Sequence, residues 1–117
     1  MINFNCIKDI TKKLRETYKG IQSNSYGYCC CTCYSKFHKY VNENDYVCAK
    51  IFKYGLNSDY NRESGFNLGK QVYFVYKLTI FDLDNVIETM QEVAKKYGYE
   101  IVKPQSKHDC IILKEVI

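Results

Sequence analysis

Cys29-Cys30-Cys31-Thr32-Cys33 gathers four of the seven cysteines of this chain into five residues. Every thiol in such a run is open to oxidation, metal capture or disulfide exchange, so chemistry is looked for here first. Zinc in a closed site takes four thiolate or imidazole ligands at the corners of a tetrahedron. Adjacent cysteines cannot all turn toward one ion, so the run alone is an incomplete site. Cys30 and Cys33 have Cys-x-x-Cys spacing, and His108 with Cys110 offers a second pair; Cys48 or His38 could substitute. No usual zinc-finger spacing joins the two pairs.

The alternative chemistry is redox or nucleophilic. A thiol at a helix N-terminus has its thiolate stabilised by the macrodipole, and Cys30 with Cys33 could cycle as a dithiol. A thioredoxin-like motif would follow a strand in a βαβ unit, yet no strongly apolar strand precedes residue 29. A Cys–His catalytic pair needs an imidazole in reach, and His38 and His108 are the only two. Against both stands plain packing, because free Cys is among the most buried residue types. Tyr28 and Thr32 would fit a tight turn tucked under a sheet.

Other catalytic patterns are absent. There is no Gly-rich phosphate loop, no Ser nucleophile elbow and no His-Glu-x-x-His. Asp82-Leu83-Asp84 places two carboxylates together, and helix capping accounts for them. The chain therefore reads as a non-catalytic protein. Its binding candidates surround the polar stretch 55–69: Tyr54, Tyr60, Arg62 and Lys70. Arg62 is one of only two arginines, and a guanidinium suits phosphate. A solvated loop charge is the plainer account of it.

The elements that must position these residues follow from periodicity. Ile7, Ile10, Leu14 and Tyr18 recur at helical spacing, which predicts an amphipathic helix over 5–19 ended by Gly20. Residues 21–28 read as an irregular extended segment, and Tyr34, Phe37, His38 and Val41 predict a short helix over 33–42. Asn42-Glu43-Asn44-Asp45 is a polar turn. Alternation predicts a strand over 46–54, with Val47, Ala49 and Ile51 on one side. Residues 72–79 form a strand apolar enough to lie centrally. Leu83, Val86, Ile87, Met90, Val93, Ala94 and Tyr97 make the stripe of a second long helix, closed by Gly98. Strands over 100–103 and 110–116 would pair as a terminal hairpin. The sum is one α+β domain over 1–117. Its sheet has about four strands, antiparallel or mixed, packed by two to three helices.

The thiol motif also carries a resemblance. Cys29, Cys30, Thr32 and Cys33, preceded by Gly20-Ile21, resemble the Cys-Cys-x-Thr-Cys motif of an uncharacterised family of small bacterial domains. Residues 68–77 resemble that family's Tyr-rich strand, and residues 86–99 its helix and exit. The likeness spans 14–117, and only the thiol motif is specific. Cys31 is a thiol that the pattern does not require. The resemblance implies a fold of this kind and no established activity.

Composition narrows the remaining classes. The net charge is +4, with Lys12, Lys13 and Arg15 in one place and Lys95 and Lys96 in another, but acids are interleaved throughout. Nucleic-acid binding usually needs a concentrated basic face, so that partner is not favoured. The longest apolar run is far short of a membrane span, and the first residues lack the pattern of a signal peptide. Both point to the cytoplasm, where thiols stay reduced, and the odd cysteine count excludes a fully paired monomeric disulfide framework. Fifteen Lys against two Arg, with nine Asn, suit an A/T-rich genome such as a low-GC bacterium, its phages or plasmids.

The expected function is therefore protein binding through Tyr-bearing loops and an exposed helix or sheet edge, since Tyr adds contact area at low entropic cost. One concrete form is a phage or mobile-element inhibitor of a host defence protein. The alternatives are a small-ligand or nucleotide sequestering protein, and a cysteine-dependent redox or zinc-stabilised domain. The N-terminal helix could dock in cis or mediate a dimer.

Overall fold

In a computed structural model the described residues are 2–28, 44–52 and 70–116. The first helix, α1, spans Phe4–Thr17. Asn3 caps it, its side-chain oxygen accepting from the Asn5 N–H at 2.9 Å. Cys6, Ile7, Ile10, Thr11 and Leu14 turn inward at the expected spacing. Gly20 follows at φ +95°, a conformation that a Cβ would strain.

The second helix, α2, covers Leu83–Lys96. Asp82 is its N-cap, accepting from the Asp84 N–H as expected, while the Asp84 carboxylate sits in the first turn and pairs with Lys103. Lys95 and Lys96 fill the last turn, where cations face the negative end of the dipole. Gly98, at φ +78°, then turns the chain into the terminal hairpin.

Five strands make one mixed sheet: β1 (Gln22–Tyr28), β2 (Tyr46–Phe52), β3 (Gln71–Lys77), β4 (Tyr99–Val102) and β5 (Ile111–Glu115). Their order is β1-β2-β3-β5-β4. β1 and β2 run parallel, and every other neighbour is antiparallel. The α+β class and the terminal hairpin agree with the sequence reading. The additional strand is β1, whose Gln-Ser-Asn-Ser run has no apolar alternation to announce it. It pairs along its length with β2, and the Arg15 guanidinium of α1 donates to the Ser23 carbonyl at 2.6 Å. Backbone pairing and a side-chain donor, rather than β-propensity, make it a strand. The proposed helix over 33–42 lies outside the described residues, as do the stretch 55–69 and Cys29 to Cys33.

Both helices lie on one face of the sheet. Alternate residues of each strand meet them there: Val47, Ala49, Val72, Phe74, Ile101, Ile111 and Leu113 join the inward stripes of α1 and α2 in one core. Tyr18 bridges the helices at one end, its hydroxyl 3.0 Å from Thr89 Oγ1 and its ring edge-on to Phe81. At the other end the Tyr97 hydroxyl donates to Asp9. The two helices are therefore antiparallel. Among the described residues no helix is long and apolar enough to cross a membrane.

One buried carboxylate ties the sheet to α2. Asp45 is 4% exposed and accepts from the backbone N–H groups of Thr79, Ile80 and Phe81 and from the Thr79 hydroxyl. Burial alone would raise its pKa, but these donors outweigh burial and hold the carboxyl below its ordinary value. The polar turn read at 42–45 thus contains the anchor of the β3–α2 connection.

Candidate binding groove on the outer sheet face

The face turned away from the helices carries the other half of each strand's alternation. Val72 and Phe74 point into the core, so Tyr73 must point outward, and it is 42% exposed. Register sets Tyr73 opposite Ile112, and Ile112 opposite Val102. An apolar cross-strand row thus runs over β3, β5 and β4. Cross-strand neighbours of this kind pack directly on one another.

Where that row meets the β4–β5 hairpin, a groove of about 460 Å³ opens. Tyr73, Val102, Pro104 and Ile112 give it an apolar floor, and Lys103, Gln105, His108, Asp109 and Cys110 surround it. The hairpin connection is held by its own short-range bonds. The Gln105 N–H donates to Asp109 Oδ2, the His108 N–H to Ser106 Oγ, and the Asp109 N–H to the Ser106 carbonyl. Lys103 forms an ion pair with Asp84, which ties the rim to the start of α2. The Tyr73 hydroxyl donates to Gln71 Oε1 at 3.1 Å, which fixes the ring's direction. A floor of this kind buries apolar surface, and the rim supplies both donors and acceptors.

Of the residues singled out from the sequence, His108 and Cys110 share this groove. Lys70 is exposed at the far end of the β3–β5 ladder, where its carbonyl accepts from the Glu115 N–H. The fold does not bring Lys70 to the groove. Cys30, Cys33, Tyr54, Tyr60 and Arg62 lie outside the described residues. Among the described residues no three His, Cys, Asp or Glu side chains stand close enough to hold a metal ion.

Two further thiols are packing groups. Cys6 is fully buried in the core, and burial, with the charge of Asp9 added, pushes its pKa up to about 12. Cys48, considered above as a substitute ligand, is 1% exposed beneath Tyr46 and Val75 on the outer face. Burial pushes it up to about 12 as well, although a backbone hydrogen bond from Asn24 opposes the shift. Both are neutral at physiological pH, and a neutral thiol is a poor nucleophile and ligand.

Sequence reasoning missed Tyr73 as a surface residue because Val-Tyr-Phe-Val-Tyr reads as uniformly central. The signal was present in the two-residue period, which places Tyr73 out of phase with Val72 and Phe74. It missed Asp45 because four consecutive polar residues look like a solvated turn. No protein-family model matches this chain, and no curated protein and no solved structure matches it.

Proposed function

We propose that this chain is a small non-catalytic binding protein that docks a protein partner on the outer face of its sheet, centred on Tyr73. The observation that carries the reading is that exposed ring at the β3 end of an apolar row, beside a groove with a polar rim. An exposed Tyr in such a patch is among the residue types that dominate binding energy at protein interfaces. Truncating it should weaken a partner by about 2 kcal/mol or more.

In its finer form the partner is a host defence protein and the chain is a phage or mobile-element product, a form supported by size and base bias alone. The test compares wild type with a Tyr73→Arg, Ile112→Arg variant. A quantitative pull-down from a low-GC bacterial lysate should recover a partner with the first and lose it with the second, at equal thermal stability. Retention of every captured protein by the variant would end this reading.

A small-ligand or nucleotide sequestering role is the second reading, favoured by the size of the groove, which falls in the range of ligand pockets. Thermal shift against a nucleotide panel separates the two, because a protein-specific binder gains no stability from any of them.

A further inference from the structure

The two basic clusters that stand far apart in the sequence meet on the helical side of the molecule. Antiparallel packing sets the last turn of α2 beside the middle of α1. Lys12 and Lys13 of α1 and Lys96 of α2 line one groove of about 200 Å³, together with Val93, Tyr97 and two acids, Asp9 and Glu16.

Both acids are engaged. Glu16 lies 4.0 Å from Lys12, both side chains more than half exposed, and Asp9 accepts from the Tyr97 hydroxyl. That hydrogen bond, foremost, raises the Tyr97 pKa to about 12, so the phenol keeps its proton. Among the described residues no carboxylate is within ion-pair distance of Lys13 or Lys96. Three cations on two helices therefore face solvent with two acids among them.

Convergent ammonium groups repel one another, and a polyanion that displaces their counterions relieves the repulsion. Protein interfaces are depleted in Lys and enriched in exposed aromatic anchors. This groove has the reverse composition, and its one aromatic hydroxyl is already committed to Asp9. Lysines without a base-reading side chain are the pattern of phosphate contact. We infer that the α1–α2 groove binds the phosphate backbone of a nucleic acid without sequence preference, through Lys12, Lys13 and Lys96. The site is on the opposite side of the sheet from Tyr73 and does not rest on the reading given there.

The test is fluorescence anisotropy of a labelled mixed-sequence duplex of about 20 base pairs, titrated with wild-type protein at several NaCl concentrations. Three neutralised phosphates give a log–log salt slope of about −2.7. The Lys12→Ala, Lys13→Ala, Lys96→Ala variant should lose nearly all of that slope and at least about tenfold in low-salt affinity. Its circular dichroism melt should match wild type, since all three side chains are exposed. A Lys103→Ala, Lys107→Ala, Lys114→Ala variant removes equal charge elsewhere and should bind within about threefold of wild type. The inference is overturned by no binding at low salt or by equal loss in the control variant. It is overturned too by polyglutamate competing as well as the duplex, charge for charge, which would mark the groove as a seat for an acidic protein.

Discussion

The two faces of the sheet are built from the same strands and differ sharply at Phe74 and Tyr73. On the helical face Phe74 is fully buried within a core that also takes in α1, α2 and the neighbouring strands. One residue earlier, on the outer face, Tyr73 is 42% exposed, with no described helix against it. A strand's two-residue period lets neighbouring positions belong to a core and to an exposed surface. Aromatic content therefore says little about role until the face is known.

The sharpest way to break this contrast is to truncate both rings. Phe74→Ala should cost about 3–5 kcal/mol in urea unfolding, because the cavity is walled by rigid elements. Tyr73→Ala should stay within about 1 kcal/mol and act on partner binding instead. Equal losses at the two sites would show that the outer face is also core.

Next in size is Asp45, which anchors the β3–α2 connection. Asp45→Ala removes the acceptor for three partly buried backbone N–H groups and should cost about 1–3 kcal/mol. Its folded pKa lies below the ordinary 3.8, so the unfolded chain binds the proton more tightly. The carboxylate's contribution is then complete above about pH 5 and is lost as pH falls through the lowered folded value. Acid titration of wild type and Asp45→Asn should converge toward low pH. Parallel curves would remove Asp45 from the anchor.

Ser23 gives a smaller effect of opposite sign. Its Oγ is buried on the helical face without a hydrogen-bond partner, so Ser23→Ala should stabilise by up to about 1 kcal/mol. A loss of stability would mean that the hydroxyl is satisfied after all. Smallest is Lys103→Ala on the groove rim. Its ion pair with Asp84 is between side chains 57% and 67% exposed and should contribute less than about 1 kcal/mol.

The thiols sharpen the comparison chemically. Alkylation of the native protein at pH 8, read by peptide mass spectrometry, should spare Cys6 and Cys48 and reach Cys110, which is only partly buried. Metal analysis of the same sample tests whether Cys30, Cys33, His108 and Cys110 hold zinc.

Periodicity alone dictated most of the frame. Both long helices, with Asp82 and Gly98 bounding the second, follow from side chains one turn apart, and β2, β3 and the terminal hairpin from apolar alternation. These are local interactions, so the residues that cause them sit within a few positions of one another. Tertiary structure decided the rest. β1 is a strand because β2 and Arg15 supply its partners, and Asp45 is an anchor because a turn 34 to 36 residues later brings it four donors. Lys12 and Lys96 share a groove only because the helices pack antiparallel. Long-range pairing leaves no periodic trace in the chain, since its cause lies dozens of residues from its effect.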